Sequence, residues 1–61
     1  MEELFSIKEV AILLKLSTST IYRYVESGIM KYNKIGRQIR FTNEQIQDFL
    51  LRQNVKGVKN E

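Results

Sequence analysis

The stretch Ser17-Thr18-Ser19-Thr20-Ile21-Tyr22-Arg23-Tyr24 decides how this chain folds. Ser17 carries a hydroxyl suited to capping a helix, and short polar side chains follow it. The sequence then turns amphipathic, with Ile21, Tyr24 and Val25 on one face. A helix with short hydroxyls in its first turn and Tyr and Arg in its next fits closely against a nucleic-acid groove. The small side chains let the backbone approach, and the long ones reach bases and phosphates.

Upstream, Ser6-Ile7-Lys8-Glu9 has the capping-box pattern, and Phe5 and Val10 are placed to form a hydrophobic staple around it. Ile7, Val10, Ala11 and Leu14 repeat at helical spacing, with Leu13 widening the stripe, which predicts a helix over Ile7–Leu14. Lys15-Leu16 forms the turn, with Leu16 expected to plug the space between two helices. The second helix is expected from Thr18 to Ser27, with Gly28 closing it in a left-handed conformation. Glu26 near that end is mildly unfavourable to the helix dipole. Two amphipathic helices joined by so short a turn read as a helix-turn-helix.

Downstream of Gly28 the period changes. Ile35-Gly36-Arg37-Gln38 predicts a two-residue type II′ hairpin loop, with Gly at the first central position. Gln38-Ile39-Arg40-Phe41 alternates cleanly, Ile39 and Phe41 on one face and Gln38 and Arg40 on the other. A lone hairpin is marginal in water, so Ile39 and Phe41 are expected to pack on the helices. Thr42-Asn43-Glu44-Gln45 is a second capping box, and Ile46, Phe49 and Leu50 give the inward face of a third helix ending near Gln53. The expected core is Ile7, Val10, Leu14, Leu16, Ile21, Tyr24, Val25, Ile39, Phe41, Ile46, Phe49 and Leu50. The architecture is α+β and mostly α: a winged helix-turn-helix of three helices and a β-hairpin wing over residues 4–53. Residues 54–61, with Lys56 and Lys59, are expected to form a disordered basic tail.

Composition narrows the chemistry. The 61 residues include no Cys and no His, so the usual thiol and imidazole nucleophiles, general bases and metal ligands are missing. The carboxylates, serines and lysines show no paired arrangement, and a chain this small hardly encloses a pocket. No enzyme, catalytic residue, metal or cofactor is expected. The N-terminus is acidic where a secretory signal would be basic, and the longest apolar run, Val10 to Leu14, is far too short to span a bilayer. No membrane partner is expected, and a cytoplasmic, nucleoid-associated location is.

The net charge of +3 is unevenly placed. The first half carries Lys8, Lys15 and Arg23 against Glu2, Glu3, Glu9 and Glu26. The second half is basic, and Lys31, Lys34, Arg37 and Arg40 fall in one acid-free stretch. Small basic domains commonly bind polyanions.

At this point the chain resembles a known family. The runs Phe5-Ser6-Ile7-Lys8-Glu9-Val10-Ala11-Ile12-Leu13-Leu14 and Leu16-Ser17, then Ser19-Thr20-Ile21-Tyr22-Arg23, are similar to small MerR-like domains of the excisionase type found in phages and mobile elements. So are Gly28-Ile29 and Lys34-Ile35-Gly36-Arg37-Gln38-Ile39-Arg40-Phe41. The resemblance implies that the second helix enters the major groove of double-stranded DNA. Ser17, Thr18, Ser19, Thr20, Tyr22 and Arg23 would lie on that recognition helix. Lys34, Gly36, Arg37, Gln38 and Arg40 would form a wing along the adjacent backbone or minor groove. Two departures stand out. The family usually has Gly where this chain has Lys15, so the turn must hold a non-Gly residue or shift its geometry. It often has a basic residue where this chain has Thr18, which removes one phosphate or base contact.

Several of these residues have a second reading. Tyr22 suits either a phosphate or a base. Arg23 suits guanine edges and phosphates, or a surface pair with Glu26. Arg37 and Arg40 suit a phosphate clamp, or guard an edge strand. Ser17 caps the helix in any case, and its neighbouring N–H groups form an anion site.

One recognition helix and a wing read only a few base pairs, too little for a unique genomic address. Specificity must then come from adjacent sites filled cooperatively by neighbouring copies, or from a larger DNA-binding partner. MerR-type regulators continue into a dimerisation helix and an effector-sensing part that this sequence does not show, so no small-molecule effector is expected. An excisionase that bends DNA to assist an integrase fits this logic, and a small transcriptional regulator of a prophage or mobile element is the alternative. A protein-interaction module on the same scaffold is disfavoured by the basic, polar wing tip.

Overall fold

The computed structural model describes residues 3–57. Its elements run β1 (Leu4–Phe5), α1 (Ile7–Leu14), α2 (Thr18–Ser27), β2 (Asn33–Ile35), β3 (Gln38–Thr42) and α3 (Asn43–Gly57). This is a winged helix-turn-helix, and α1 and α2 have the expected boundaries.

Local chemistry sets each helix start. At Ser6 the capping box closes in both directions: Glu9 N–H donates to Ser6 Oγ at 3.1 Å, and Ser6 N–H donates to Glu9 Oε1 at 2.8 Å. Thr42 and Gln45 repeat the device at α3. Gln45 N–H donates to Thr42 Oγ1 at 3.1 Å, and Thr42 N–H donates to Gln45 Oε1 at 2.9 Å. Gln45 Nε2 also donates to Asn33 Oδ1 at 3.2 Å, which ties the first wing strand to α3.

The two helix ends flanking α2 share one geometry. After α1, Lys15 is left-handed, with φ 59° and ψ 43°. Lys15 N–H donates to the Ile12 carbonyl at 3.2 Å and Leu16 N–H to the Ala11 carbonyl at 2.8 Å, the Schellman pattern. After α2, Gly28 at φ 82° does the same, with Ile29 N–H donating to the Tyr24 carbonyl at 3.0 Å. Gly suits this conformation and Lys does not, so the α1–α2 turn is closed by a strained residue.

The sheet is larger than a hairpin. Its order is β1-β3-β2, all antiparallel. Ile35 pairs with Gln38 across the Gly36-Arg37 loop. Gly36 has φ 63° and Arg37 has no positive φ, as a type II′ turn requires. The unexpected strand is β1, which pairs Leu4 with Thr42 and Phe5 with Phe41.

Phe41, Ile21, Val10 and Met30 form the fully buried centre, joined by Ile7, Ala11, Ile46 and Phe49. Phe5, Leu14, Tyr24, Val25, Ile39 and Leu50 pack around it, and the Tyr24 and Phe49 rings lie 5.1 Å apart, tilted by 40°.

Three expectations need correction. Leu16 does not plug the gap between the helices; it stays 39% exposed, because the left-handed turn at Lys15 carries it outward. Met30, only 1% exposed, takes a core place from an irregular stretch. Helix α3 runs four residues past the end expected near Gln53, so the boundary expected there falls inside a helix. The last part of the expected tail, 58–61, lies outside the described residues.

Candidate nucleic-acid interface

Helix α2 buries Ile21 and leans Tyr24 and Val25 on the core, which turns Thr18, Ser19, Tyr22, Arg23, Glu26 and Ser27 outward. The helical period puts Ser19 and Arg23 near the centre of the outward face, with Tyr22 to one side and Glu26 at its C-terminal end. Ser17 and Thr20 are occupied with each other. Thr20 N–H donates to Ser17 Oγ at 3.2 Å, and the two hydroxyls share a hydrogen bond of 2.9 Å. They build the helix start and leave Thr18, Ser19, Tyr22 and Arg23 as the available side chains.

Among the described residues the one ion pair is Arg52 with Asp48 on α3, at 3.3 Å. Arg23 therefore makes no pair with Glu26. Lys34, Gly36, Arg37 and Gln38 are exposed at the wing, and Arg40 is half-buried. The Arg40 guanidinium is fixed by two bonds, Nη1 donating to the Ile39 carbonyl at 2.7 Å and Nη2 to Gln38 Oε1 at 2.8 Å.

An open cleft joins wing and helices. The wing contributes Lys34, Arg37, Gln38, Ile39 and Arg40, α2 contributes Tyr22, and the start of α1 contributes Ser6, Ile7 and Lys8. Four of the nine lining side chains are cationic and none is acidic. Tyr22 and Arg23, neighbours in sequence, part here, and Lys8 joins the cleft with no local signal in the sequence. Arg23 lines a different, shallower depression with Tyr24, Glu26, Ser27 and Ile29. Strand β1 delivers Lys8 to the cleft, because pairing Phe5 with Phe41 starts α1 beside the wing.

The fold agrees with comparison to known proteins. A family model described as a helix-turn-helix domain matches residues 4–54. The chain belongs to the helix-turn-helix domain family. As such it is a DNA-binding helix-turn-helix protein. A protein of Bacillus subtilis (strain 168), called "Uncharacterized protein YvgK", is 36% identical to this helix-turn-helix chain over 45 residues. Those residues are 74% of this chain and 15% of that protein, so the chain spans a small part of its relative's length. No solved structure matches the chain. Among the described residues no helix is long and apolar enough to cross a membrane, and no group of His, Cys, Asp and Glu is placed to hold a metal ion.

Proposed function

We propose that the chain is a MerR-like, sequence-specific binder of double-stranded DNA, with α2 in the major groove and the β2–β3 wing on the adjacent backbone. The observation that carries this reading is the outward face of α2. Thr18, Ser19, Tyr22 and Arg23 are exposed there beside an acid-free wing, and Arg23 is unpaired among the described residues. Short side chains at the start of α2 permit close approach, and Arg23 has the reach and donor geometry to read guanine.

The biological role proposed is that of an excisionase. Copies fill adjacent sites cooperatively, bend the DNA and assist an integrase, because so small a reading surface gains its address from repetition or from a partner. The second reading is a small transcriptional regulator of a prophage or mobile element, which uses the same α2 and wing surface without an integrase.

Gel-shift and footprinting on duplexes carrying one, two and three candidate sites test the role. Cooperative filling with bending, and stimulation of an integrase added to the reaction, support the excisionase. Tight occupancy of one site without bending supports the regulator. Binding that does not weaken with salt contradicts both.

A further inference from the structure

We propose that Lys8, on neither the recognition helix nor the wing, is a further DNA-binding residue. With Tyr22, Lys34, Arg37 and Arg40 it forms a seat for one backbone phosphodiester between α2 and the wing. The inference rests on the DNA reading of α2 and the wing, and it adds a third element, the start of α1, to the contact surface.

The cleft holds four cationic side chains contributed by α1, both wing strands and the loop between them, with the phenol of Tyr22 from α2. No carboxylate lines it to neutralise them. Glu9, the acid next to Lys8 in sequence, does not line the cleft, and its carboxylate already accepts from the Ser6 N–H at 2.8 Å. Lys8 itself is exposed and has no ion pair among the described residues. Like charges gathered in one concavity repel one another, and a polyanion entering it relieves that repulsion. A concave wall also focuses the field more than the same charges on a convex surface.

The position of Lys8 is fixed by the fold. Phe5 pairs with Phe41, Ser6 caps α1, and Lys8 follows one residue into the helix. Lys8 is thus placed relative to β3, the strand that carries Arg40. The same cleft separates two neighbours on α2. Tyr22 faces the cations and a phosphate, while Arg23 lies outside the cleft and is left to the bases. Tyr22 donates a neutral hydrogen bond to the phosphate oxygen, and Lys8 donates a charged one.

The test is an anisotropy titration of a duplex between low and moderate salt. It compares the wild-type chain with Lys8→Ala, Lys8→Arg, Tyr22→Phe and, as a control outside the cleft, Arg52→Ala. Each phosphate neutralised contributes about 0.9 to the slope of log affinity against log salt. Lys8→Ala is expected to lower the slope by about one and the affinity by up to roughly tenfold at ~0.1 M salt, equally on specific and unrelated sequences. Lys8→Arg keeps the slope, Tyr22→Phe weakens binding without changing it, and Arg52→Ala matches wild type. Circular dichroism checks that each variant is folded. A steep wild-type slope that Lys8→Ala leaves intact overturns the seat alone. A change of sequence preference in Tyr22→Phe removes Tyr22 from it. A wild-type chain without salt-dependent duplex binding overturns the DNA reading and the seat together.

Discussion

Gln38 holds Arg40 in place: its Oε1 accepts from Arg40 Nη2 at 2.8 Å on the outward face of β3. A second bond, from Nη1 to the Ile39 carbonyl, fixes the guanidinium at both terminal nitrogens with donors to spare. Arg40 is thus pre-organised, whereas Arg37 at the loop is exposed and makes no side-chain bond among the described residues. Arg40→Ala should lower the salt slope of DNA binding by about one, as should Arg37→Ala. Gln38→Ala should leave the slope unchanged, since it removes no charge, yet weaken binding by freeing Arg40 to sample other rotamers. Wild-type affinity in Gln38→Ala would show that the bond between them has no part in binding.

Arg23 is the proposed base reader. Arg23→Ala should cost about 1–3 kcal/mol on the specific site and much less on unrelated DNA. Its exposure and lack of an ion pair mean the fold should be unaffected. Parallel titrations on specific and scrambled duplexes check this, and an equal loss on both would reassign Arg23 to the backbone.

Lys15 offers a test of stability. It sits at φ 59° where its counterpart at the other helix end, Gly28, sits at φ 82°. A non-Gly residue in this conformation costs about 1 kcal/mol or somewhat more. Lys15→Gly should therefore stabilise the domain by about 0.5–1 kcal/mol, net of the entropy Gly adds to the unfolded chain. In a domain of this size that is a rise in Tm of roughly 2–8 °C. Gly28→Ala should destabilise it by a similar amount, through backbone strain alone, since a Cβ there meets nothing within 4 Å. Thermal melts of the two variants should move in opposite directions.

Met30 is the buried residue that closes the core from the loop side. Met30→Ala should cost about 2–5 kcal/mol, while Ile12→Ala at a site 70% exposed should cost little. Urea unfolding of both variants separates a core role for Met30 from a merely covered one.

What could be read from the sequence was local. Ser6 with Glu9, Thr42 with Gln45, and Gly36 at the hairpin loop all act within three residues, and each adopts the expected geometry. Tyr24 could be separated from Tyr22 because the helical period alone divides them between core and surface. The unread features depend on distant pairing. A two-residue strand such as β1 has no period to betray it, so the union of Phe5 with Phe41 was invisible, and with it the approach of Lys8 to the wing. Met30 and Leu16 lie in irregular stretches where hydrophobicity does not say which way a side chain turns. The link from Gln45 to Asn33 crosses from helix to strand and leaves no local signature.

Ile12 at 70%, Leu13 at 55% and Leu51 at 65% exposure show that not every apolar side chain is consumed by the core. Scattered side chains of this kind fall well short of the ~800 Å² per partner of a stable interface. The free protein should still sediment as a monomer at micromolar concentration, with cooperativity appearing only on DNA carrying adjacent sites. A stable dimer in solution would contradict this.

The most direct test of the central claim is a ¹H–¹⁵N NMR titration of the chain with a specific duplex, following every backbone amide. The account predicts the largest shifts at Ser17 to Arg23 and at Lys34 to Arg40, a further shift at Lys8, and small ones along the exposed face of α3. Shifts confined to α3 or to the outer face of α1, with α2 and the wing unmoved, would contradict it.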